Sequence, residues 1–189
     1  MMRDVHREAA RTITLLADAR PGRPSPAPVE PDHTHTVFAA RSGFLTGVDR
    51  ARLVETANEH GIVVAERRAV GSSVISGTPL AHWWPAGGSH GPRATDDRIA
   101  SDIVACFTSA YERTPAQDVG FGLRQLDDVA GRALSAGVND PTTAIHALSH
   151  ISALLCDLAG RGPRPDAYAS PDGVARLTDM HRELIQRRL

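Results

Sequence analysis

A chain of 189 residues, 41% hydrophobic and 23% charged, can bury a core in one domain or two small ones, which excludes wholesale disorder. The formal net charge of −1 excludes a general attraction to nucleic acid or to an anionic membrane surface. All 21 basic residues are Arg, a pattern of GC-rich coding that also suits bidentate carboxylate pairing.

Residues 2–18 read as an amphipathic helix, with Ala9, Ile13 and Leu16 at helical spacing. Residues 20–33 follow as a stiff linker: Arg20 to Asp32 holds five prolines, which would leave the first helix (residues 1–19) as a separate appendage. Residues 34–86 read as a small β-rich unit. Its strands are expected in His35–Ala40, Gly61–Arg68 and Ser73–Trp84, the last split by Gly77 and Pro79. Asp49 caps a short helix carrying Leu53, Val54 and Ala57. Gly43, Gly71 and Gly77 mark turns, and Ala86–Arg93 is a loop. Trp83-Trp84 reads as core or interface.

Residues 94–189 read as a helical unit. Thr95 caps a helix reaching Tyr111. Thr114-Pro115-Ala116-Gln117 has the form of a capping box, opening a helix with the stripe Val119, Leu123, Leu126, Ala130 and Ala133. Asp140-Pro141 opens the next, with the stripe Ile145, Leu148, Ile151, Leu155 and Leu158, ended by Gly160 to Pro165. Ser170-Pro171 opens a last helix to the C-terminus. The fold class expected is α+β: a β-rich unit, then a helical unit, preceded by the amphipathic helix and linker.

The two cysteines, Cys106 and Cys156, sit in apolar helical patterns without a C-x-x-C, and read as small buried hydrophobes in a reducing compartment. No signal-peptide pattern is visible, and no run approaches the ~18–20 apolar residues of a membrane span. A soluble, cytoplasmic chain is the expectation.

Candidate sites concentrate on the helix–turn–helix from Arg113 to Ala144. Asp118, Gln125 and Arg132 recur every seven residues, so they form one polar stripe beside the apolar face. Such a stripe serves an inter-helix network, a ligand-binding floor or a solvated face. Asp118 and Arg132 stand about 21 Å apart along a helix, so each needs another partner, such as Arg113 or Asp140. In the turn Ser135 to Pro141, Gly137 can take a positive φ and end one helix, while Asn139 and Asp140 satisfy the free N–H groups of the next. That geometry is complete without chemistry, yet a helix start also attracts anions. Asn139 is one of two asparagines, the other being Asn58. His146 and His150 stand four apart as zinc ligands can, and His33 and His35 share a side if extended, but no H-E-x-x-H occurs. No metal or cofactor is expected. Ser42 and Ser135 lack a nucleophile context.

Several of these stretches resemble one family. Arg113-Thr114, Gln117-Asp118, Phe121-Gly122, Gln125-Leu126 and Arg132-Ala-Leu-Ser-Ala-Gly-Val-Asn-Asp-Pro-Thr-Thr-Ala144 are similar to a motif of the bacterial predicted membrane proteins called domain of unknown function 2254. Ser42-Gly43-Phe44, and Gly71 with Gly77-Thr78-Pro79-Leu80, resemble two further elements. Ala136, Val138 and Thr142 depart from the motif, which has Pro, Ile and Phe there. The resemblance covers roughly residues 36–160. It implies association with the cell membrane, and that the chain corresponds to a C-terminal soluble region preceded by transmembrane helices. The family's activity is unknown, so the resemblance supplies no chemistry.

The reading reached from sequence is a non-catalytic ligand-sensing or assembly module. Its binding residues would be Arg113, Gln117, Asp118, Gln125, Arg132, Asn139 and Asp140, and its turn-forming residues Thr114, Gly137 and Pro141. One alternative is an enzyme using Asp118 or Asp140 as acid/base or metal-binding carboxylate. The other is a purely structural homo-oligomerisation domain. The partners considered are a small charged ligand, a second copy and a membrane-embedded partner or transmembrane region, but not nucleic acid.

Overall fold

The computed structural model describes residues 1–19, 23–26, 28–87, 95–161, 167–169 and 176–179. In chain order they form α1 (Met2–Asp18), β1 (Arg23–Ser25), β2 (His35–Phe38), β3 (Gly43–Val48), α2 (Arg50–His60), β4 (Ile62–Glu66), β5 (Ser73–Val74), β6 (Pro79–Pro85), α3 (Asp96–Val104), β7 (Phe107–Ala110), α4 (Val119–Ala133), α5 (Pro141–Gly160), β8 (Ala167–Ala169) and β9 (Arg176–Asp179). The class is α+β. Two compact units share the chain: residues 1–19 with 113–164, and residues 20–112 with 165–189.

The second of these, the sheet unit, holds a six-stranded sheet in the order β1-β8-β9-β4-β6-β2 and a three-stranded sheet β5-β3-β7. Ile62–Glu66 is buried at all five positions. Its apolar run from Ile62 to Ala65 is what a strand buried on both faces requires, and Glu66 closes it as a buried charge. Ile62 and Val64 join Leu53, Val54 and Ala57 of α2 and Ile99 and Ile103 of α3 in the main core. Val63 and Ala65 pack with Trp84 in a separate cluster. Trp83 and Trp84 are both buried, divided between these two clusters. The Asp49 cap is present, its carboxylate accepting from the Arg52 N–H at 3.1 Å. At Gly43 a Cβ would stand 2.5 Å from the Ala110 carbonyl oxygen, so the approach of β3 to β7 demands glycine.

The other unit is helical. Ala9 and Ile13 of α1 are buried with Leu126 of α4 and Leu154 of α5. Rather than standing apart, α1 is therefore the third helix of this unit. Gly122 sets the closeness of α1 and α4, since a Cβ there would lie 2.8 Å from the Ala9 Cβ. The Thr12 hydroxyl adds a bond to the Pro115 carbonyl at 2.8 Å.

Several sequence expectations need correction. The helix read from Thr95 to Tyr111 stops at Val104, and Phe107–Ala110 pairs with β3 as a strand. Sheet pairing of its Phe and Thr outweighs the helical pattern. Within the proline-rich stretch Arg23–Ser25 pairs with β8, and Glu30 is held by Arg67 and His82, so it is more than a spacer. Arg176–Asp179, read as the middle of a last helix, is a strand parallel to β4. Ser170, Pro171 and residues 180–189 lie outside the described residues, as does the loop from residue 88 to Arg93. On α5 the buried face is Ala144, Ala147 and Leu154, with Ile151 and Leu158 of the expected stripe half-buried against the core, while Ile145, Leu148 and Leu155 are exposed. Small residues let α5 approach α4 closely, and that outweighs the larger side chains. Cys106 is buried as expected, but Cys156 is exposed.

Candidate functional site at the α4–α5 hairpin

Helix α4 begins later than the capping-box pattern suggests. Its cap is Asp118, not Thr114, because residues 115–118 form a turn closed by Asp118 N–H on the Pro115 carbonyl at 3.4 Å. The Asp118 carboxylate is buried and fully used. One oxygen accepts from the Phe121 N–H at 2.9 Å. The other accepts from Arg113 Nε at 3.0 Å and Nη2 at 2.7 Å. The guanidinium also lies 5.2 Å from the Phe121 ring centroid, a cation–π distance. Arg113 and Asp118 thus form one unit that starts the helix and pins the segment before it. Gln117, next to Asp118, and Gln125, two turns further on, are half-buried.

The opposite end of α4 carries the turn. Arg132 is exposed, its Nε donating to the Asp128 carbonyl at 3.2 Å. Gly137 does not take the left-handed conformation expected of it; Asn139 does, at φ 45°. Asparagine tolerates that region because its short polar side chain bonds locally. The turn closes with Asp140 N–H on the Ala133 carbonyl at 2.7 Å. Asp140 then caps α5, accepting from the Thr143 N–H at 3.1 Å and the Thr143 hydroxyl at 2.6 Å. Pro141 occupies the first helical position, where its missing N–H costs nothing. The Thr143 bonds hold the Asp140 carboxyl below its ordinary pKa.

The seven named residues therefore do not converge. Arg113, Gln117 and Asp118 sit at the start of α4, Gln125 midway, and Arg132, Asn139 and Asp140 at its end, a separation of roughly 20 Å along the helix. On α5, His150 meets His6 of α1 with ring centroids 4.8 Å apart. Burial, with His6 next to it, lowers the His150 pKa. Among the described residues no group of three His, Cys, Asp or Glu side chains gathers as a metal site would.

Sequence reasoning missed the polar clusters of the sheet unit. Glu66, at 0% exposure, takes two bonds from Arg50 at 2.7 and 2.8 Å. His60 Nε2 lies 3.0 Å from Asp102 Oδ2, which also pairs with Arg98 at 3.1 Å. His60 chiefly, and Arg98, lower the Asp102 pKa. Cys106 nearby donates to the Asp102 carbonyl at 3.4 Å, and burial raises its thiol pKa, which disfavours a nucleophilic thiolate. Partners separated by 16 or 42 residues leave no periodic trace.

Comparison with known proteins fixes the family. The profile described as Predicted membrane protein (DUF2254) matches residues 1–183. Uncharacterized protein Mb1321c of Mycobacterium bovis and Uncharacterized protein Rv1290c of Mycobacterium tuberculosis are each 35% identical over 149 residues, 79% of this chain. The match spans 27% of the length of each relative. No solved structure matches. Among the described residues no helix is long and apolar enough to cross a membrane. The motif around the Asn139-Asp140-Pro141 turn and the profile match agree: the chain belongs to the DUF2254 family of predicted membrane proteins.

Proposed function

We propose that this chain is a non-catalytic assembly module of its membrane-protein family, and that it pairs with a second copy through the outward face of α5. The observation that carries the reading is the composition of that face. Ile145, Leu148 and Leu155 are 61%, 51% and 50% exposed. With Ser152 they fall at intervals of three, four and three residues, the heptad spacing of a helix seam. No charged residue occurs between Pro141 and Cys156. A helix face kept in water normally carries charge, and this one does not. An uncharged stripe is also self-complementary, as a two-fold contact requires.

The carboxylates support the non-catalytic part. Asp118 is occupied by Arg113 and a helix start, and Asp140 by Thr143. Light scattering on the purified chain at high concentration should give the mass of two chains. Leu148→Asp, at an exposed position, should give one chain with unchanged helical circular dichroism. A wild-type chain that stays monomeric across the concentration range overturns the reading.

A further inference from the structure

A second feature lies in the sheet unit and is independent of α5. A cavity of about 290 Å³ opens between the residues after β2, strand β7 and the end of α3. Its floor is apolar: Leu45, Val74, Leu80 and Phe107. Ala39 and Ala40 line its wall, Ala39 packing in one small core cluster with Val74 and Leu80. Arg41, Thr108 and Ser109 supply its polar lining. Arg41 is exposed, is the cavity's only charged residue, and makes no hydrogen bond or ion pair with any described residue.

The wall is braced deliberately. The Ala39 N–H bonds the Thr78 carbonyl at 2.8 Å and the Gly77 N–H bonds the Ala39 carbonyl at 2.9 Å. The Ser42 hydroxyl oxygen accepts from the Ser76 N–H at 3.0 Å. The stretches Ser42-Gly43-Phe44 and Gly77-Thr78-Pro79-Leu80, left without a task by the hairpin, are thus stapled together around Arg41. Gly43 holds the far side by letting β3 approach β7.

We infer that this cavity binds a single-chain aliphatic carboxylate, with its chain on Leu45, Val74, Leu80 and Phe107 and its carboxylate on the Arg41 guanidinium. The floor offers no hydrogen-bonding side chain and so selects hydrocarbon, while the cationic mouth selects an anionic head. At about 30 Å³ for each methylene-sized group, comparable to a water's share of the liquid, the space takes roughly eight to ten carbons. That volume is at the small end of ligand pockets, ~300–1,000 Å³, which points to one chain and away from a two-chain lipid.

Isothermal titration of the full chain with decanoate, below the concentration at which it forms micelles, should show saturable binding of one molecule per chain. Arg41→Ala should weaken it at least tenfold, and Arg41→Lys should restore most of the affinity. Because Arg41 is exposed, the melting temperature of both variants should match the parent. Decyltrimethylammonium, of the same chain length and opposite charge, should not bind. Equal binding of the cationic amphiphile, unchanged affinity in Arg41→Ala, or no saturable decanoate binding overturns the proposal. So does co-sedimentation with phosphatidylglycerol vesicles in the absence of decanoate binding, which would make the patch a membrane contact.

Discussion

Glu66 lies at 0% exposure in the sheet unit, enclosed with Arg50, while the helical unit leaves Ile145, Leu148 and Leu155 of α5 in water. Both units bury a charged pair, since Asp118 with Arg113 in the helical unit is nearly as enclosed as Glu66 with Arg50. Only the helical unit leaves three large aliphatic side chains of one helix in water. The difference follows from architecture. In the sheet unit α2 and α3 cover the Ile62 and Val64 side of β4 and Trp84 packs with Val63 and Ala65 on the other, whereas α1 and α4 cover only part of the 20-residue helix α5. The exposed aliphatic residues of the sheet unit, Val29 and Ile75, stand on separate segments, whereas those of α5 form one surface fit for a further partner.

The contrast can be broken most forcefully at Arg50. Arg50→Ala leaves the Glu66 carboxylate deprived of its main counter-charge, and urea denaturation should show a loss of about 3 kcal/mol or more. A loss below about 1 kcal/mol would mean that water reaches Glu66 and that the enclosure described above is wrong. Asp118→Ala in the helical unit should cost less, about 2 kcal/mol, from a lost cap and a stranded but partly exposed Arg113. If its cost equals that of Arg50→Ala, the two units do not differ in how deeply they hold charge.

Two glycines of α4 test the tightness of the helical unit. Gly131 has open space around it, and Gly131→Ala should stabilise by roughly 0.5–1 kcal/mol. Gly122→Ala gains the same helix propensity but drives a methyl group onto Ala9, and should be neutral or destabilising. Equal stabilisation by both would show α1 to be loosely seated. The smallest effect expected is acid sensitivity in the sheet unit. The Asp102 carboxyl is held below its ordinary value, chiefly by His60. Its contribution is therefore complete above about pH 4, the ordinary carboxylate pKa, and fades as pH falls through the lowered one. Asp102→Asn should flatten the decline of melting temperature in that acid range.

Local signals carried much of this fold in the sequence. The helical spacing in α1, the Asp49 cap, the apolar run of β4 and the Asp-Pro start of α5 all act over a few residues. The pairing of Arg113 with Asp118, five residues apart, was also within reach. What was hidden depends on distant partners. Phe107–Ala110 becomes a strand only because β3 runs beside it. The face that α5 buries could not be chosen, since that helix is apolar nearly all round and both an alanine stripe and a leucine stripe were available. Arg50 and Glu66 belong to different elements, and the cavity beside Arg41 is lined by residues scattered from Ala39 to Ser109. Space, unlike a motif, is not written in any one stretch of chain.

Strand β9 lies between β8 and β4, although residues 176–179 are the last of the sheet in sequence. A ribosome must release more than a hundred residues after β4 before that slot is filled. The same holds for α1, whose partners α4 and α5 emerge a hundred residues later. Each unit is therefore assembled from two distant lengths of polypeptide. During synthesis the open edge of β4 and the apolar side of α1 wait together, and a chaperone or a membrane surface has its best chance of capturing this protein in that interval.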